Sequence, residues 1–129
     1  MKKIVLIFIT AFILNVIWEN AHSLLYDNYM GGKITEFILL RASLADALLI
    51  TLIALPFMFL SAFKKRGWVI IFIGLVISFS IEFYALGADR WAYNAFMPIV
   101  PFIAVGLTPV IQLGLLGYLA FKIEEYVTI

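Results

Sequence analysis

Apolar positions dominate the chain and fall into four long runs, at 4–22, 37–63, 68–86 and 98–121, with short polar breaks between them. Each run is at or near the roughly 20 residues that cross a hydrocarbon core of about 30 Å. The pattern therefore predicts an all-α polytopic membrane protein: four transmembrane helices forming one domain over residues 1–129. Gly31 and Gly32 break the chain after the first run, and Lys64, Lys65, Arg66 and Gly67 end the second sharply. Pro56 is expected to kink helix two, and Pro98, Pro101 and Pro109 to bend helix four, because a mid-helix proline lacks its N–H and clashes with the preceding turn. Residues 23–36 read as a loop or short interfacial segment, with Tyr26 and Tyr29 suited to the headgroup layer. Gly106, Gly114 and Gly117 suit close helix packing. The end, 122–129, reads as a short tail.

Composition narrows the choices. With 65% hydrophobic and 13% charged residues and a mean hydropathy of +1.11, the chain carries about half the charge of a typical soluble domain. The absence of cysteine excludes disulfides, thiolate catalysis and iron–sulfur clusters. A formal charge of +1 gives no reason to expect a nucleic-acid partner. A basic start, an apolar stretch and the small residues Ala21 and Ser23 also match a secretory leader. The length of that stretch, and Asn15, Trp18, Glu19 and Asn20 within it, favour a retained helix.

The distribution of charge sets an orientation. Four spans put both termini on one side, which collects Lys2, Lys3, Lys64, Lys65, Arg66 and Lys122, against Lys33 and Arg90 in the opposite connections. The positive-inside rule then predicts cytoplasmic termini. At about 1.5 Å of rise per residue, Asn15, Asp46 and Ser78 come out near mid-bilayer, while Glu19, Arg41 and Glu82 lie nearer the outer surface. Asn15, Glu19 and His22 follow an i, i+4, i+7 stripe, and Ser78 and Glu82 an i, i+4 pair. A charge in hydrocarbon costs at least about 2.5 to 3.5 kcal/mol, so it faces the bundle interior or a partner. An outward-opening polar pocket follows, with Arg41 pairing Glu82, Glu19 or Asp46 and Arg90 closing the mouth.

Glu19, Asp46 and Glu82 are the candidate acids and bases. Asn15, Trp18, His22, Arg41, Arg90, Trp91, Tyr93 and Gln112 are the candidate substrate-binding residues. The one histidine and the lack of a His-x-x-x-His pair argue against a metal, and no cofactor is indicated. No nucleophilic triad or phosphate-binding glycine loop is present.

The segment Arg90-Trp-x-Tyr-x-x-x-Met-Pro-x-x-Pro, continuing through Val105-Gly-Leu-x-Pro-x-x-Gln112, together with Trp18 and Glu19, resembles a group of small four-helix bacterial integral membrane proteins. That resemblance implies a bacterial cytoplasmic membrane and carries no mechanism. More distantly, Glu82, Gly87, Trp91 and Tyr93 are similar to the acid, glycine and aromatics near a helix end in membrane lycopene cyclases and carotenoid hydratases, without the cyclases' paired acidic motif. Glu19 is comparable to the helix-one glutamate of small multidrug resistance transporters, without their other motifs. The expected activity is binding and acid–base modification of a lipid-like or isoprenoid-like molecule in the bilayer. The alternatives are a small proton- or ion-coupled transporter, as a homo-oligomer, and an accessory subunit of a larger membrane partner.

Overall fold

The computed structural model describes residues 1–128. Four helices carry the fold: α1 (Lys2–His22), α2 (Glu36–Phe59), α3 (Val69–Gly87) and α4 (Leu107–Val127). Two short strands join them at one end, β1 (Tyr26–Tyr29) between α1 and α2 and β2 (Trp91–Tyr93) between α3 and α4. These antiparallel strands are a short addition to a chain that is otherwise helical as expected, and they pair Tyr26 with Tyr93, Asn28 with Ala92 and Tyr29 with Trp91 across an irregular register. Aromatic residues suit strands, and cross-strand aromatic pairs stabilise them.

Local chemistry accounts for the helix ends. Thr35 caps α2, its hydroxyl accepting from the Ile38 N–H at 3.3 Å, and Glu36 adds an acid to the first turn, where the helix dipole favours one. Helix α2 stops at Phe59 rather than 63, because Leu60 turns extended just beyond Pro56. The largest correction concerns α4, which begins at Leu107 rather than 98. Pro98 and Pro101 precede it in irregular chain, where each proline disfavours helix in the residue before it. Phe102 and Ala104 there take φ of 73° and 56°, the left-handed region, which no right-handed helix accommodates. Only Pro109 lies in α4, within the first turn, where the missing N–H costs nothing. Helix α4 also continues through Lys122 to Val127, so most of the predicted tail is helical; Ile129 lies outside the described residues.

Helix α4 packs against the other three; α1 runs along α2 and α3 along α4, whereas α2 and α3 scarcely meet. The α3–α4 contact is close because Gly74 faces Gly114: a Cβ on Gly74 would stand 2.2 Å from the Gly114 nitrogen, and one on Gly114 2.4 Å from the Ile71 carbonyl oxygen. Ile7, Ala11, Ala47, Ile50, Ile70 and Leu113 are among the residues of the buried apolar core.

Outward faces are apolar as well. Val5, Ile9, Ile13 and Ile17 form an exposed stripe down α1, and Leu40, Leu44, Leu48 and Leu52 one down α2. Three helical segments, Lys2–Leu25, Glu36–Phe59 and Val69–Gly87, are long and apolar enough to cross a membrane. Helix α4 does not join them: as the inner helix it carries Gln112, Lys122 and Glu124, and it is the most buried of the four.

Candidate functional site

The inward stripe of α1 changes character along its length, from Ile7 and Ala11 through Asn15 to Glu19 and His22, all five buried. The apolar half builds the core, and the polar half meets α4 at Gln112. The Gln112 side-chain nitrogen Nε2 lies 2.9 Å from Asn15 Oδ1, 2.7 Å from Glu19 Oε1 and 2.9 Å from Asp46 Oδ2. Asn15 is oriented by its own Nδ2–H, which donates to the Ala11 carbonyl at 2.7 Å. A primary amide nitrogen has only two hydrogens, so three acceptors compete for two donors and one is always left over.

Glu19 is also tied to His22, whose Nε2 lies 3.1 Å from Oε2; the other ring nitrogen, Nδ1, lies 3.1 Å from the Thr108 hydroxyl. A ring with its hydrogen on Nε2 donates to Glu19 and accepts at Nδ1 from Thr108. This makes a polar path from the buried amide to the strand end of the bundle.

A second cluster surrounds Glu82. Tyr26 donates to Oε1 at 3.0 Å, while the Trp91 indole N–H and the Tyr93 hydroxyl donate to Oε2 at 3.0 and 2.7 Å. The strand register creates this arrangement by bringing Tyr26 beside Tyr93, ring centroids 5.2 Å apart and edge to face. Tyr93 in turn accepts from the Gly106 N–H at 2.9 Å, which ties the start of α4 to the same carboxyl. Burial pushes both phenols well above the usual tyrosine range, and the neighbouring Glu82 pushes them further.

One cavity of about 330 Å³ connects the two clusters, and its walls include Glu19, His22, Asp46, Ser78, Glu82 and Gln112. Tyr26, Tyr29, Arg41 and Trp91 also line it, as do apolar side chains such as Leu39, Ile81 and Leu113. The carboxyls are not equivalent there. Glu82 is saturated with three donors, Glu19 is shared between Gln112 and His22, and Asp46 accepts from Gln112 at Oδ2 while lining the cavity. Ser78 is buried, 4% exposed, and its hydroxyl has no partner. Other helical hydroxyls, on Ser43, Thr51 and Ser80, each donate to the carbonyl four residues back.

The cations are not where the sequence suggested. Arg41 makes no ion pair with Glu19, Asp46 or Glu82; it stands on the exposed rim, donating to the Tyr29 hydroxyl at 3.2 Å and lying over the Tyr29 and Phe37 rings. A long side chain near a helix end reaches outward more cheaply than it turns into an apolar wall. Arg90 lies outside the cavity, exposed, over the Tyr84 ring, so it closes no mouth. Trp18, Asn15 and Tyr93 are not part of the wall. Asn15 and Tyr93 support it through Gln112 and Glu82, whereas Trp18 packs against the core with its indole N–H unpartnered.

Tyr26, Tyr29, Ser78 and Thr108 join the site beyond the candidates. The usable signal was the aromatic content of Tyr-Asp-Asn-Tyr and Trp-Ala-Tyr on either side of an embedded acid. At the opposite end Glu124 is buried, 3% exposed, and accepts from the Thr128 hydroxyl at 3.1 Å, so embedded acids are not confined to the strand end. Among the described residues no group of three His, Cys, Asp or Glu side chains is placed to hold a metal ion. The chain matches no family model, no curated protein and no solved structure.

Proposed function

We propose that this is a polytopic protein of the bacterial cytoplasmic membrane, with both termini in the cytoplasm. Its outward-facing pocket binds a lipid-like or isoprenoid-like molecule and alters it by acid–base chemistry. The exposed aliphatic stripes of α1 and α2 support residence in a bilayer, since water-facing stripes of that length are rare on soluble monomers. The basic residues of the α1 start, the 64–66 turn and Lys122 support the orientation.

One observation carries the functional reading: a single cavity holds Glu19, Asp46 and Glu82 against an apolar wall, with Arg41 at its rim. The three acids then have different tasks. Asp46, on the cavity wall between α2 and Gln112, is the group that exchanges a proton with a bound molecule. Glu19 and His22, 3.1 Å apart, restore that proton from the strand end. Glu82 fixes the aromatic wall and the field inside the pocket. Transport is a weaker reading, because Ile7, Ala11, Ile50 and Ala54 belong to the buried apolar core on the far side of Asn15 and Asp46. That packing favours a site with access from one side.

The test is purification from membranes followed by mass spectrometry of retained lipids. A bound lipid or isoprenoid that is lost on Asp46→Asn or Glu82→Gln supports the pocket. Retention of the molecule and of full stability in Glu19→Gln, Asp46→Asn and Glu82→Gln alike overturns it, and proton-driven uptake into proteoliposomes moves the assignment to transport.

A further inference from the structure

The cavity has a side as well as an end. Its walls come from one face of α2, at Ala42, Ala45, Asp46 and Leu49, and from Ser78, Ile81 and Glu82 of α3, the two helices that scarcely meet. Ala45 and Ile81 line the cavity and are solvent-accessible, and because α2 and α3 scarcely meet, the seam between these helices is the cavity's lateral side. Its 330 Å³ has room for on the order of ten water molecules at about 30 Å³ each. That is enough for a polar headgroup and too little for two acyl chains, which must stay outside the seam.

The polar groups specify the headgroup. Inside, Gln112 has two hydrogens for three acceptors, Asp46 lines the wall, and the Ser78 hydroxyl is buried without a partner among the described residues. At the rim stand Arg41, which has no carboxylate partner among the described residues, and the Tyr29 hydroxyl. Carboxyl groups inside and a guanidinium at the mouth fit a zwitterion entering cation first.

We propose that the headgroup of a bilayer lipid bearing a primary ammonium and a phosphate enters this cavity between α2 and α3. The ammonium meets Asp46 and Ser78, and the phosphate rests on Arg41. The proposal builds on the pocket described above and names its ligand. A primary ammonium brings three hydrogens to the acceptor-rich interior. A trimethylammonium brings none, and a headgroup with only negative charge meets carboxyls. Arg41 holds phosphate through its planar fork of N–H donors.

The experiment reconstitutes the protein into vesicles of equal parts phosphatidylethanolamine, phosphatidylcholine and phosphatidylglycerol with identical chains, and counts retained lipids by native mass spectrometry. Phosphatidylethanolamine is expected about tenfold enriched over each competitor, the ratio that one charge-assisted contact supplies. Asp46→Asn should bring the ratio near unity. Ser78→Ala, which breaks no hydrogen bond of the free protein, should lower it with the fold intact by circular dichroism, and Ala45→Trp should block uptake by filling the seam. Soluble phosphoethanolamine should fail to displace the lipid. Equal retention of the three lipids overturns the headgroup assignment and leaves the pocket standing. Displacement by millimolar phosphoethanolamine replaces the lipid with a free small molecule, and wild-type protein that retains no lipid overturns both readings.

Discussion

Glu82 accepts from two phenols and an indole, and the phenols give this contact a signature in alkali. Tyr26 and Tyr93 hold their protons well above the usual value of about 10 because burial and Glu82 oppose a phenolate. An unfolded chain releases those protons near that usual value, while the folded chain keeps them. The stability tied to these groups is thus fully present below about pH 10 and is lost as pH rises toward their folded-state values. Denaturation midpoints measured between pH 8 and 11 should fall at the alkaline end. Tyr26→Phe should flatten that fall while costing about 1 to 3 kcal/mol at neutral pH, since a buried carboxyl loses a donor. An unchanged alkaline slope in the variant would show that these phenols do not govern it. The same count of donors separates the acids, because Glu82 is held in place by three donors whereas Asp46 takes one from Gln112.

Among the helices, the α3–α4 contact is the least forgiving. Gly74→Ala puts a methyl group into the Gly114 backbone, and rigid main chain cannot yield as a side chain does. The expected loss is about 1 to 3 kcal/mol or more, read as a lower thermal midpoint in detergent. Gly87→Ala is the control: a Cβ there meets nothing, and an alanine favours the end of α3 by up to about 1 kcal/mol. Equal behaviour of the two variants would remove the close-packing account. Much of this architecture was legible. The length of the apolar runs gave four helices, and the spacing of Asn15, Glu19 and His22 gave one stripe of the site, because helical period is a local property. The strand pair was not legible, since Tyr26 and Tyr93 are brought together by long-range pairing that no local pattern encodes. The start of α4 was misread because prolines inside an apolar run can mark a bent helix or no helix, and Phe102 and Ala104 decide for the latter only through backbone angles invisible in sequence. The place of Arg41 is not legible in sequence, because opposite charge at similar depth says nothing about which way a long side chain turns.

For the whole molecule, the lack of native cysteine permits a direct test of orientation. Single cysteines at Asp27→Cys and Asp89→Cys, at the strand end, should react with a membrane-impermeant maleimide in intact cells. A cysteine at Lys65→Cys should react only after permeabilisation. The reverse pattern would invert the topology, and labelling of all three in intact cells would dismiss a sealed bilayer orientation. The exposed aliphatic stripes and the polar interior fit the proposed residence in a bilayer, where lipid would replace water around the outside and scarce polar groups would gather where they satisfy one another.

The pairing of β1 with β2 also bears on how the protein is made. The α1–α2 and α3–α4 hairpins are each built from neighbours in sequence, whereas the strands join residues from the two halves. Pairings between distant segments are the slow ones. Synthesis therefore completes one helical hairpin before the residues that shelter Glu82 exist, and Tyr26 waits for its partners Trp91 and Tyr93. Until the second half arrives, the first half presents Asn15, Glu19 and Asp46 without Gln112. An unfinished chain is thus chemically distinguishable from a finished one by carboxyls that still lack their amide donor.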